Sequence, residues 1–232
     1  MKARKRTASA GTIILLIPVI GIVPLLPMII SGDWGWIEAW LYAFVFIFGF
    51  IISRILVGMR NPDLIRERAG SFGKEDAKTW DKILAPLVAY GNLFLLVTAG
   101  LDRRFGLTST FGTKARTAGL LIIVSGFVFG SWALIENRFF SGVVRIQTDR
   151  GHRVVDSGPY RILRHPGYAG TLWTYLATPL LLDSLWAFIP AAVISCVLIL
   201  RTSLEDRTLK EGLEGYSEYA KRTRFRLFWG IW

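Results

Sequence analysis

Long runs almost free of charge alternate with short polar segments along the chain. Each run is close to the roughly 20 apolar residues that a helix needs to cross a bilayer. The first, residues 12–30, reads "TIILLIPVIGIVPLLPMII" and is kinked by Pro18, Pro24 and Pro27. Basic residues precede it, as in a signal peptide. Its apolar core exceeds the roughly 7–15 residues of a signal sequence, and no small-x-small cleavage site follows. Three more runs cover residues 36–57, 83–101 and 117–135. The last, residues 168–200, is interrupted by "TPLLLDSLW", where Pro179, Asp183 and Ser184 predict a turn between two shorter helices. Beyond it, Leu204, Leu209, Leu213 and Tyr216 space an amphipathic helix along the membrane face. The predicted fold is all-α: a polytopic membrane protein of five to six transmembrane helices, the last two a helical hairpin, with a cytoplasmic C-terminal amphipathic helix. Residues 1–136 hold four spans, and residues 137–232 hold the polar loop, the hairpin and the tail.

The cations orient this arrangement. "MKARKR" has four, residues 58–82 six, residues 137–168 six, and the tail from Arg201 seven. The opposite loops hold four, Arg103, Arg104, Lys114 and Arg116, and Arg54 lies within a span. The positive-inside rule therefore places both termini and the large loops in the cytoplasm. The net charge of +11 follows from this bias and favours contact with anionic membrane lipids. The cations are spread over short loops, so nucleic acid is not an expected partner. The single cysteine, Cys196, excludes a disulfide framework and is read as a small buried apolar residue. His152 and His165 are the only histidines, without an HExxH pattern, so no metal site is expected. His152 is read as a solvated loop residue. "NPDLIRERAGSFGKEDAKTWDK" is read as a helix starting at Pro62 followed by solvated scaffold.

Polar chemistry concentrates after Glu136. In "GPYRILRHPGYAG", Pro166 pushes His165 into extended backbone and suits the first turn of a helix. A helix start offers free N–H groups and a positive dipole end, both favourable to anions. A basic membrane-facing turn with His165 as a cap is the plainer reading. In "RTSLEDRTLKEGLEGYSEYAKRTRFRLFWGIW", Glu205 lies one turn beyond Arg201 near the bilayer boundary. An ionisable residue at that depth is a functional candidate; a surface pair with Arg201 is the alternative. Tyr216, Tyr219 and Trp232 can equally serve as interfacial anchors. The chain has no GxG, so the soluble dinucleotide fingerprint is absent.

Taken together, the Gly-Pro-Tyr-Arg turn, the Arg-His-Pro-x-Tyr-x-Gly motif, the Glu205-Asp206 pair and the closing Tyr-x-x-Tyr and Arg-x-Arg resemble the isoprenylcysteine carboxyl methyltransferase family and its phospholipid methyltransferase relatives. The resemblance covers about residues 143–232. It departs from the family at Asp206, where Glu is frequent, and at Trp229, where Pro commonly precedes the final Gly-x-Trp. The resemblance implies a membrane enzyme that uses S-adenosylmethionine. Arg164, His165, Pro166, Tyr168 and Gly170 would then form one wall of the cofactor pocket. Gln147, Val155, Gly158 and Tyr160 would contribute from the preceding loop, and Glu205 would close it. Arg226, or less readily Arg224, would hold the substrate's acid, and Arg201 would support catalysis. The implied acceptor is a lipophilic carboxylate entering from the bilayer, with a phospholipid or amine acceptor as the alternative. Membrane sterol reductases share a similar C-terminal architecture and use NADPH, which makes them the competing enzyme class.

Overall fold

The structure, a computed structural model, describes residues 20–108 and 110–232, and these are helical without β-strand. A 3-10 turn, Val23–Leu25, leads into the short helix α1, Leu26–Ser31. Pro24 and Pro27 sit in the first turns of these two pieces, where a missing N–H is tolerated, and they split what a continuous span would require. Residues 12–19 of the expected first span, and the basic "MKARKR" segment, lie outside the described residues.

Among the described residues, four helices are long and apolar enough to cross a membrane: α2 (Ile37–Arg60), α4 (Asp81–Phe105), α5 (Thr113–Glu136) and α7 (Phe188–Gly212). Helix α3 (Pro62–Ala69) follows α2, starting at Pro62 as the sequence suggests. Helix α6 spans Pro166–Leu181 and α8 spans Tyr216–Arg222. At 16 residues, α6 reaches only about 24 Å, less than the ~30 Å hydrocarbon core. It is buried along most of its length, between α5 and α7. Asp183, with a positive φ of 54°, ends it and turns the chain into α7, forming the predicted hairpin.

Helices α5 and α6 cross with their backbones in near contact. A Cβ on Gly126 would strike the Gly170 carbonyl and the Thr174 hydroxyl, and one on Gly119 would strike Leu181 and Ala177. Small residues at such a crossing let dispersion hold helices together where lipid removes the hydrophobic drive. Gly170, expected on a cofactor wall, is instead a packing residue of this crossing: a Cβ there would meet Gly126 and Gly130 backbone. The core beneath joins Met28, Trp36, Tyr42, Leu95, Leu96, Ile123 and Leu181.

Three other expectations are corrected. Helix α7 continues unbroken past residue 200 to Gly212, so the amphipathic tail is not a separate element until α8. Residues 62–82 are not solvated scaffold throughout. Glu67 is 6% exposed and Asp81 fully buried, and both anchor arginines from the C-terminal half. Cys196 is exposed on α7, not buried. At the opposite end of the bundle, Arg103 pairs with Asp33 at 2.8 Å and Arg116 with Glu38 at 2.5 Å. These pairs neutralise two of the four cations that fit the charge bias least.

Candidate active site

The ends of α2, α5 and α7 and the starts of α4 and α6 meet on one side of the bundle. Residues 137–165 fold over that end. Two buried carboxylates fasten this loop to the N-terminal half. Asp81 accepts from Arg201 at 2.7 and 3.0 Å and from the Val144 N–H at 2.5 Å. Glu67 accepts from Arg145 at 3.1 and 3.2 Å, from Ser141 at 3.1 Å and pairs with Lys74 at 3.1 Å. Burial would raise the Glu67 carboxyl, but the hydrogen bonds from Arg145 and Lys74 outweigh it and hold it below its ordinary value. Fork-on-fork arginine pairs of this kind fix geometry as well as charge.

A third buried carboxylate, Asp206, fastens the tail. It is fully buried and has Arg164 Nε at 2.9 Å, Arg226 Nε at 3.0 Å, Lys210 Nζ at 3.0 Å and the Tyr216 hydroxyl at 3.0 Å. His165 Nε2 lies at 3.5 Å. The Arg164 Nε–H is near Asp206 without being aimed at it, and finds no hydrogen-bond acceptor. Two backbone bonds complete the clasp: Arg164 N–H to Phe225 O at 2.9 Å and His165 N–H to Arg226 O at 3.1 Å. His165 makes no side-chain cap on α6; its ring stacks parallel on Tyr168 at 5.8 Å.

Between these fasteners lies a narrow cleft, partly open to solvent. Of the residues the sequence singles out, Gln147, Val155, Tyr160, Arg164, His165, Tyr168 and Glu205 line it. Gly158, Pro166, Gly170, Arg201 and Arg226 do not. Gly158 packs on Glu136 and Trp132, and its positive φ of 54° forms the turn that aims Tyr160 inward. Arg201 acts at one remove. It donates to the Tyr168 hydroxyl, which donates to Glu205 Oε2 at 2.6 Å. The expected surface pair of Arg201 with Glu205 is therefore replaced by a relay through Tyr168. Arg226 spends its charge on Asp206 and its plane on Trp232, 4.7 Å from the ring. Arg224 is exposed.

Several wall residues escape sequence reading. Phe139 packs against His152, the two rings tilted by 34° with centroids 4.8 Å apart. His152 is thus a wall residue, not a solvated one. Burial, reinforced by the nearby charges of Arg145 and Arg150, pushes its pKa down to about 4, so it is neutral at physiological pH. Gln147 donates to the Phe139 carbonyl at 2.6 Å and is 1% exposed. Tyr216 and Tyr219 are buried in the cleft wall, not membrane anchors; Tyr219 donates to the Tyr160 carbonyl at 2.7 Å. Burial raises both phenols and keeps them neutral donors. The Tyr-x-x-Tyr spacing was the available signal. For Phe139 and His152 none existed, because their loop has no period.

The chain is an all-helical integral membrane protein with a mixed polar and aromatic cleft at one end of its bundle. Residues 115–214 match the phospholipid methyltransferase family model. The chain is also 32% identical over 107 residues to protein-S-isoprenylcysteine O-methyltransferase B of Arabidopsis thaliana, covering 45% of this chain and 54% of that protein. A probable protein-S-isoprenylcysteine O-methyltransferase of Oryza sativa subsp. indica is 31% identical over 113 residues, covering 45% and 56%. The chain spans about half the length of the curated relatives it matches. The resemblance read from the Arg-His-Pro motif and the acidic pair is borne out by these matches.

Proposed function

We propose that the protein is a membrane methyltransferase that binds S-adenosylmethionine in this cleft and methylates the carboxylate of a lipophilic, isoprenylcysteine-like acceptor. The carrying observation is that Glu205 and Arg164 face one cleft walled by Phe139, Val155, Tyr160, Tyr216 and Tyr219. The donor set fits the cofactor. A guanidinium with an unsatisfied N–H suits its carboxylate. The Glu205 oxygen left over from Tyr168 suits its ammonium, and the aromatic wall suits its adenine. When bound, the cofactor would supply a transferable methyl group on a sulfonium, with Arg164 and Glu205 holding its amino-acid end.

The residues of the chain do the rest by positioning. Carboxylate oxygen is already nucleophilic, so the site needs no general base, only orientation and exclusion of water. Tyr168 and Arg201 hold Glu205 in one rotamer, and the Asp206 clasp holds Arg164 and His165. An apolar groove between α4 and α7, lined by Ile83, Leu87, Tyr90, Phe94, Val193 and Ile194, opens toward lipid and can take the acceptor's chain. In this reading the chain crosses the bilayer five or six times, with both termini, α8 and the cleft cytoplasmic.

Calorimetric titration of detergent-purified protein with S-adenosylmethionine, S-adenosylhomocysteine and NADPH tests the assignment. The first two should bind with micromolar affinity and lose at least tenfold in Glu205→Gln. Binding of NADPH alone would replace the methyltransferase reading with a reductase one.

A further inference from the structure

Two arginines stand apart from the clusters above. Arg54 lies on α2, six residues before its last residue Arg60 and so about 9 Å along the axis from that end, and is half-buried. Arg68 lies near the end of α3. The carboxylates around them are engaged elsewhere: Glu67 by Arg145 and Lys74, Glu136 by Ser157 and Arg60, Asp63 by Arg66. Among the described residues neither arginine has an acidic partner within ion-pair distance. Arg54 Nε is buried with no hydrogen-bond partner, as is the hydroxyl of adjacent Ser53. The Arg54 guanidinium rests over Phe50 at 4.8 Å. Arg68 uses Nη1 on the carbonyls of Phe140 and Ser141, at 3.1 and 3.3 Å, and lies over the Phe140 ring at 5.4 Å. Phe140 and Ser141 are cleft wall, and the Phe140 ring is 5.6 Å from Tyr168.

Cations without acidic partners at the membrane boundary, one with an orphaned buried donor, are costly unless an anion joins them. Guanidinium groups suit the oxygens of a carboxylate or phosphate. Arg226 and Arg201 are already engaged by Asp206 and Asp81. We propose that Arg54 and Arg68 hold the oxyanion headgroup of an amphiphile whose chain lies in the bilayer, beside the cleft. Resting on the function proposed above, that amphiphile is the methyl acceptor, and the N-terminal half then supplies its acid recognition.

The test uses the full chain in neutral nanodiscs, with an S-prenyl thiopropionic acid and its methyl ester as probes. Wild type should bind the acid at least tenfold more tightly than the ester. Arg54→Gln and Arg68→Gln should each bring the two within threefold, and Arg54→Lys, which keeps the charge, should retain part of the preference. Affinity for S-adenosylhomocysteine should stay unchanged in all three, which also reports that they fold. An unchanged acid-to-ester ratio in both Gln variants overturns the proposal. A second arm adds phosphatidylglycerol to the nanodiscs. Competition with the acid supports one shared oxyanion site; phosphatidylglycerol held by Arg54 and Arg68 without displacing the acid overturns the acceptor assignment. Failure of S-adenosylhomocysteine to bind would sink the methyltransferase reading separately, since the acid-to-ester ratio does not depend on it.

Discussion

Neutralising Asp206 separates it from its neighbour Glu205. Asp206→Asn keeps the shape of the side chain but removes the charge facing Arg164, Arg226 and Lys210. Arg164 has 7% of its side chain exposed, so its charge is left with little water to compensate it. Breaking one partner of a buried pair costs roughly 3–5 kcal/mol. Arg226 and Lys210 are 23% and 38% exposed and can regain solvent, so the lower end, about 3 kcal/mol, applies. At about 1.4 kcal/mol per tenfold, that is roughly a hundredfold loss of affinity if the loss falls on the cofactor-competent arrangement of Arg164 and His165. The assay pairs calorimetry with S-adenosylhomocysteine and thermal unfolding in detergent. Asp206→Asn should lose affinity and melting temperature together. Glu205→Gln should lose affinity while melting near wild type, because Glu205 is partly exposed and fastens no backbone. An Asp206→Asn protein that binds within threefold of wild type and melts at the same temperature would refute the clasp.

Other outcomes follow from the same geometry. Gly170→Ala should lower the melting temperature markedly, by overpacking worth about 1–3 kcal/mol, because the new methyl meets rigid helix backbone. Gly130→Ala, with its nearest neighbour 3.8 Å away, should melt like wild type. His152 has a folded pKa of about 4 against an ordinary 6.5, so the unfolded chain takes up its proton first as pH falls. The stability His152 contributes is therefore present above pH 6.5 and lost toward pH 4, and His152→Gln should flatten that part of the melting-temperature profile. Asp81→Ala should free Arg201 and the Val144 N–H together, which limited proteolysis would detect as faster cleavage of residues 141–145.

The sequence by itself determined the class of the protein and much of its outline. Runs of apolar residues near bilayer length need every backbone hydrogen bond made internally, which leaves helices as the solution for such a chain. Pro166 marked the start of α6 and Asp183 and Ser184 its end, because proline tolerates a first turn and a positive φ breaks a helix. Turn chemistry at Pro166 and depth in the membrane singled out His165 and Glu205, and the family resemblance added Tyr160, Arg164 and Tyr168 to the site. Only the tertiary structure decided what pairs with what. Asp81 and Glu67 looked like surface charges in a polar loop, yet they meet Arg201 and Arg145 across 120 and 78 residues. Gly170 fitted the motif as a ligand contact and proved to be where α6 meets α5. Charge pairing and backbone approach depend on distances through space, which no local period in a sequence encodes.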